Sequence, residues 1–197
     1  MGLENGSKKM TYLNISNGKL VYKETGNGSE EKKSADSVSG VVKKVEFCDD
    51  EYNGQSFNKA KITISDGGEI DYLLQMRTDS GYFRGFCNSL RSGNPLGDIK
   101  ICPSAKEVNG KKQITCFVQQ DGKWLKHFFN KDNNGDLPVL EKVNFKGKDI
   151  YDGTAQVNYW KEWLFETYKN VNSFSETEVA ETNTFENSFD NDSDIPF

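Results

Sequence analysis

The chain has 197 residues, a length that fits one domain with appended segments. It is polar, with 35% hydrophobic residues and a mean hydropathy of -0.75, so its core must be modest. No stretch approaches the roughly 18 consecutive apolar residues of a membrane-spanning helix, and the first ten residues lack the apolar segment of a secretory signal. These features exclude a helical membrane protein and favour the cytoplasm.

The formal net charge of -5 is divided unevenly along the chain. Residues 172–197 contain seven acidic side chains and no Lys or Arg, whereas residues 1–171 contain 25 basic and 23 acidic side chains, a net charge of +2. A slightly basic body with an acidic segment indicates a nucleic acid or another charged macromolecule as partner. The same composition predicts that residues 172–197 are disordered.

The first 37 residues are predicted to be an extension of the main domain. In the segment YLNISNGKLVYK, residues 12–23, Asn17 and Gly18 separate two runs that contain apolar residues, which is the strongest short signal for a β-hairpin. The next segment, residues 26–37, is rich in Gly, Ser and charged side chains and predicts a flexible connector.

Three strands are then predicted, over residues 38–48, 56–65 and 69–78, with residues 49–55 as a loop. The first contains β-branched residues and Gly40, at which a long strand could bend. In the second, Ala60, Ile62 and Ile64 alternate with polar residues and so share one face. In the third, Ile70, Tyr72, Leu74 and Met76 share a face in the same way.

The periodicity changes to that of a helix within residues 79–95. Phe83, Phe86, Cys87 and Leu90 follow the i, i+3, i+4, i+7 pattern, with Asp79 or Ser80 as a possible N-cap. Strands resume over residues 98–108 and 111–120, and a hairpin arm is predicted over 123–129. A last helix is expected over 154–169, with its apolar stripe at Val157, Trp160, Leu164 and Tyr168.

Three strands, a short helix and two further strands form the element order of the OB-fold, a five-stranded Greek-key barrel. We therefore predict a mainly β protein with this barrel, an N-terminal hairpin, a helix between the third and fourth barrel strands, and a late helix. The predicted boundaries are 1–37 for the extension, 38–171 for the barrel domain and 172–197 for the acidic tail. The alternative, a β-sandwich, needs more strands than the sequence offers.

Motifs of enzymes and metal sites are missing from the sequence. His127 is the only histidine, and no Walker A, dinucleotide-binding or H-E-x-x-H pattern is present. The segment 132–136 begins like a calcium loop, but Leu137 stands where that loop requires Gly. The four cysteines contain no C-x-x-C pair, so they favour reduced thiols over a disulfide or a zinc site. We predict no catalytic residue, no metal and no cofactor.

Aromatic and basic side chains alternate on two predicted strand faces, as a surface for single-stranded nucleic acid requires. Bases stack on the rings while cations contact the phosphates, with little sequence preference because every base has a π-face. Packing of the same rings in the core is the competing explanation. The predicted DNA-binding residues are Phe57, Lys59, Lys61, Arg77, Arg84, Lys111, Lys112, Phe117, Trp124, Lys126 and Phe128, with Lys43 and Lys44 as further candidates.

The final segment, DNDSDIPF, resembles the C-terminal tip of single-stranded DNA-binding proteins of bacteria and their phages. The resemblance covers about nine residues and rests on Asp190, Asp192, Asp194, Ile195, Pro196 and Phe197. It implies that these residues bind replication or repair proteins, such as a polymerase, helicase or primase, through a basic-rimmed pocket. The first barrel strand begins near residue 38 and the chain lacks a long Gly/Gln/Pro-rich linker, which favours a phage-encoded version in a bacterial host's cytoplasm.

The sequence thus predicts a non-enzymatic protein that coats single-stranded DNA during replication, recombination and repair. Two alternatives remain at this point: an OB-fold adaptor that binds a polypeptide, and the nucleic-acid-gripping module of a replication enzyme. No particular oligomeric state is predicted.

Overall fold

The structure is a computed structural model that describes residues 8–26, 29–145 and 147–172. Within these ranges the protein is mainly β, with two helices. In chain order the elements are β1 Lys9–Ser16, β2 Lys19–Gly26, β3 Ser29–Ala35, β4 Val38–Tyr52, β5 Gln55–Ser65, β6 Ile70–Arg77, α1 Gly81–Leu90, β7 Asp98–Val108, β8 Lys111–Gln120, β9 Lys123–Trp124, β10 Glu141–Phe145, β11 Lys148–Asp152 and α2 Thr154–Asn172.

Nine strands form one open sheet in the order β3-β2-β1-β6-β5-β4-β7-β8-β9. β1 and β6 are parallel, whereas the other neighbours that the structure describes are antiparallel. β10 and β11 form a separate two-stranded hairpin. The predicted helix between the third and fourth strands of the main domain is α1, which lies between β6 and β7.

The predicted apolar stripes form the core. Ala60, Ile62 and Ile64 of β5 are completely buried, and Leu74 and Met76 of β6 pack with them. α1 contributes Phe83, Phe86, Cys87 and Leu90, and α2 contributes Trp160, Leu164 and Tyr168. The side chain of Ser80 accepts a hydrogen bond from the amide of Phe83 and caps α1, as one of the two expected caps.

The N-terminal hairpin is confirmed, and it belongs to the main sheet. Asn17 and Gly18 both have positive φ angles, 48° and 74°, as a type I′ turn requires. Leu13 and Leu20 of the hairpin are buried in the common core. The Gly18 amide donates a hydrogen bond to the hydroxyl of Tyr82 on α1, at 2.9 Å. The turn is therefore fixed to the helix as well as to the sheet.

Three local expectations are wrong. The predicted connector over 26–37 contains β3, because residues 29–35 pair along their whole length with β2. The predicted loop over 49–55 is mostly strand, since β4 and β5 pair up to Tyr52 and Gln55. The predicted arm over 123–129 contains only the two-residue strand β9. In the first two segments the backbone pairs with a neighbouring strand, although most of the side chains are polar.

The C-terminal part of the chain differs from the prediction at two places. The β10–β11 hairpin was not predicted, and α2 extends three residues beyond the expected end at 169. The acidic tail, with the residues Asp190 to Phe197, lies outside the described residues.

We predict that Gly18→Ala destabilises the protein more than Gly54→Ala. Both glycines follow an Asn in a hairpin turn and both have φ +74°, so both substitutions carry the same backbone strain. A Cβ atom on Gly54 meets no atom within 4 Å, whereas one on Gly18 would lie 2.3 Å from the backbone nitrogen of Ala105. Urea denaturation should show a further loss of about 1–3 kcal/mol for Gly18→Ala, as overpacking typically costs. Equal losses would contradict the packing of this turn.

Candidate nucleic-acid interface

The side of the sheet opposite the core is called the outer face here. On β5 it contains Phe57, Lys59, Lys61 and Thr63, which alternate with the buried Ala60, Ile62 and Ile64. The register places Arg77 of β6 opposite Lys59, and Gln75 opposite Lys61. Four of the predicted DNA-binding residues thus share one region, Phe57, Lys59, Lys61 and Arg77.

Phe57 is flanked by two cations on this face. The guanidinium carbon of Arg77 lies 5.0 Å from the centre of the Phe57 ring, and the ammonium nitrogen of Lys59 lies 5.9 Å from it. Such distances permit cation–π attraction. Arg77 also donates two hydrogen bonds to Asp79, at 3.0 and 2.6 Å, which orient its guanidinium group while about half of the side chain remains exposed.

The structure argues against the predicted phosphate contact of Lys59. Its side chain is only 5% exposed, forms an ion pair with Asp50, and donates a hydrogen bond to Gln75 at 3.1 Å. Burial would raise the pKa of Asp50, but the hydrogen bond from Lys59 and its charge lower that pKa below the ordinary value. Lys59 therefore stabilises the sheet and helps to position Phe57, and its charge is already matched within the protein.

Phe117 and Trp124 form an exposed aromatic pair at the other end of the sheet. Their ring centres are 6.0 Å apart with an interplanar angle of 73°, and the side chains are 37% and 57% exposed. Trp124 pairs with Gln119, and Gln119 pairs in turn with Lys100 of β7, so an exposed lysine lies in the same row of the outer face. Sequence reasoning predicted both rings and missed Lys100, because only the register reveals it.

Arg91 lies just after α1 and is surrounded by aromatic rings. Its guanidinium carbon is 5.1 to 5.5 Å from the ring centres of Phe128, Phe129, Tyr159 and Trp163. A carboxylate oxygen of Asp136 is 3.8 Å from the same group. The predicted DNA-binding ring of Phe128 thus belongs to a cluster that joins α1 and α2, and Arg91 itself was not predicted.

The remaining predicted cations are dispersed. Lys112 donates a hydrogen bond from its ammonium group to Asn17 at 2.9 Å, and Lys111 is exposed beside it in the turn between β7 and β8. A cleft of about 570 Å³ lies between this turn and the Asn17–Gly18 turn, with Lys106 also in its lining. Lys126 is exposed after β9, and Arg84 is half-buried on α1.

Lys43 and Lys44 lie at an irregularity in β4, because the register with β5 shifts between Val42 and Lys44. Lys44 forms an ion pair with Glu46 at 3.0 Å. The structure therefore gathers Phe57, Lys61 and Arg77 in one region and Phe117 and Trp124 in another, and it leaves the other candidates outside both.

Other kinds of site find little support among the described residues. In the ranges 8–26, 29–145 and 147–172, no group of three or more His, Cys, Asp and Glu side chains converges as a metal site would. Burial raises the pKa of the Cys87 and Cys116 thiols, which lie in the core. Neither of the two described helices is long and apolar enough to cross a membrane.

Comparison with protein-family models, with curated proteins and with solved structures finds no match to this chain.

Proposed function

We propose that the chain is a non-enzymatic single-stranded DNA-binding protein that coats and protects exposed strands in replication, recombination and repair. The observation that supports this most is the exposed pair Phe117 and Trp124 beside Lys100. Two rings that are open to solvent next to a cation offer base stacking and a phosphate contact in one place. Little sequence preference follows, since stacking does not distinguish bases by their edges.

The order of the sheet supports an OB-like binding domain. β6-β5-β4-β7-β8 is the order 3-2-1-4-5 of the five barrel strands, with α1 between the third and the fourth. OB-folds bind oligonucleotides on the face of strands 2 and 3 and with the loops 1–2 and 4–5. Phe57, Lys61 and Arg77 lie on the corresponding strands, and Lys111 and Lys112 lie at the corresponding second loop.

The acidic segment supports a second activity, the recruitment of replication enzymes. Its final residues resemble the tip with which single-stranded DNA-binding proteins dock their partners, as described above. Seven acids without a basic residue can also compete with DNA for the cations of the body. We therefore assign residues 172–197 two separable roles, an electrostatic one along the segment and an apolar one at Ile195, Pro196 and Phe197.

The proposal predicts a preference for single-stranded over duplex DNA. The full chain should bind oligo-dT more tightly than duplex DNA of the same length, because only unpaired bases expose faces for stacking. The logarithm of affinity should fall with the logarithm of salt concentration, with a slope of roughly -0.7 for each phosphate neutralised. Fluorescence anisotropy of labelled DNA measures both quantities. Equal affinity for the duplex would refute the proposal and favour an adaptor or another nucleic-acid module.

Trp124→Ala should weaken binding of oligo-dT by about 1–3 kcal/mol, the usual contribution of a stacked base. Phe165→Ala is the matched control, since this side chain is 59% exposed, close to the 57% of Trp124, but belongs to α2 and not to the sheet. Its affinity should remain unchanged. If both variants bind like the parent while urea denaturation shows an intact fold, the Phe117–Trp124 pair is not a stacking site.

Truncation after Val171 should raise the affinity for single strands, most clearly at low salt, because it removes seven negative charges. Phe197→Ala changes no charge and should leave DNA binding unchanged while it weakens binding to a purified replicative helicase, primase or polymerase. If Phe197→Ala alters DNA affinity as much as the truncation does, the two roles are not separable. If neither variant changes any binding, the segment acts only as a solubiliser.

A further inference from the structure

β7 and β8 continue as a two-stranded ribbon beyond the part of the sheet that pairs with β4. The pairing of β4 with β7 ends at Ile101, whereas β7 and β8 stay aligned as far as Val108 and Lys111. Ile101 of β7 and Cys116 and Val118 of β8 are completely buried. Because successive side chains of a strand alternate between its two sides, the positions next to these buried residues lie on the outer face.

The outer side of this ribbon leads from the aromatic pair to two lysines. Lys106 lies three outward positions beyond Lys100 on β7, about 20 Å away at roughly 3.3 Å per residue. Lys111 of β8 lies one row further, and both lysines are exposed. In order along the ribbon, the rows beyond Phe117 are Ser104 with Thr115, Lys106 with Gln113, and Val108 with Lys111.

The acidic residues of the ribbon lie on its other side or at its far end. Glu107 alternates with Lys106 and is aligned with Lys112 on the side that faces away from these rows. Asp98 begins β7 and Asp121 follows the end of β8, so both lie on the other side of the aromatic pair from Lys106. The outward rows beyond the aromatic pair therefore contain no acidic side chain.

Asp36, in the link between β3 and β4, lies near the β7 side of the ribbon. Burial raises the pKa of the Cys102 thiol, the charge of Lys100 lowers it, and the charge of Asp36 raises it further. Asp36 forms an ion pair with Lys19 at 3.3 Å. Its carboxylate therefore already has a cationic partner within the protein.

The outer face of β4 to β6 is a less favourable direction for a polyanion. Its cations lie opposite acidic side chains, since the register aligns Lys61 with Glu46, and Lys59 forms an ion pair with Asp50. Phosphates that crossed this region would approach both carboxylates, and like charges repel. Electrostatics therefore favours a path along the ribbon over a path across the sheet.

We propose that a single strand stacked on Phe117 and Trp124 continues along the β7–β8 ribbon, with its phosphates at Lys106 and Lys111. The inference rests on the proposed function and deepens it. It adds Lys106 to the binding surface, and it gives the bound nucleic acid a direction that is parallel to the strands of the sheet. The ligand recognised beyond the two rings is the sugar-phosphate backbone, so this part of the path adds affinity and no sequence preference.

A cation added to the path provides the first test. Gln113 is exposed and aligned with Lys106, so Gln113→Lys places a further charge on the ribbon. Asn158→Lys adds the same charge at an exposed position of α2 and serves as the matched control. With the full chain and oligo-dT, Gln113→Lys should tighten binding and steepen the dependence of log affinity on log salt by about 0.7, as expected for one more neutralised phosphate. Asn158→Lys should leave that slope unchanged.

Removal of a cation tests the same path in the opposite direction. Lys106→Ala should weaken binding of oligo-dT and reduce the slope by about 0.7, whereas Lys169→Ala, which removes the same charge from α2, should keep the parent's slope. Urea denaturation checks that each variant is folded. If Gln113→Lys and Asn158→Lys give equal slopes, or if folded Lys106→Ala binds like the parent, the path along the ribbon is refuted even though the parent binds. A parent chain that fails to bind oligo-dT at all overturns the proposed function together with this path.

Discussion

The parallel pairing of β1 with β6 is the interaction on which the rest of the structure depends. Five residues of β1, from Lys9 to Leu13, are aligned with β6, and they cover an edge that would otherwise expose unpaired backbone groups. The same strand carries Leu13 into the core and leads to the Asn17–Gly18 turn. Because that turn contacts Tyr82 and the backbone of Ala105, the hairpin connects one end of the sheet to β7 and α1.

This connection also explains how an open sheet can remain well ordered. A five-stranded barrel closes by pairing its third and fifth strands, but here the outer edge of β6 is already paired with β1. The Asn17–Gly18 turn instead contacts the β7–β8 turn, where Lys112 donates a hydrogen bond to the side chain of Asn17. A side-chain hydrogen bond and a close backbone approach therefore join the two turns, while the sheet itself remains open. The glycine at position 18 is required there both for its positive φ and for the close approach of Ala105.

Local patterns in the sequence were sufficient for much of the fold. The alternation in β5, the helical stripe from Phe83 to Leu90 and the Asn-Gly turns each depend on residues close in the chain, so they were predicted correctly. Non-local pairing was not accessible in this way. β3 is polar except for Ala35 and becomes a strand because β2 offers a partner. The rings around Arg91 come from two distant segments.

The same distinction applies to the candidate site. The sequence correctly indicated which side of β5 faces away from the core, yet it could not show that Asp50 lies across from Phe57 and neutralises Lys59. Periodicity reports the face of a side chain, whereas its charge partners depend on the neighbouring strand. Lys100 was missed for the converse reason, since only the register places it in the same row as Trp124.

An open sheet has a consequence for a polymeric ligand that a closed barrel does not have. Nine strands at about 4.8 Å spacing give a surface of roughly 40 Å, measured along the sheet across the strands. Phe57 and Phe128 are each packed against an arginine of the protein, which fixes the orientation of their rings. Trp124 on the edge strand β9 is 57% exposed, so most of its ring is open to solvent. A flexible ligand that contacts several strands would gain from their connection in one rigid sheet, because each further contact then requires no further ordering of the protein.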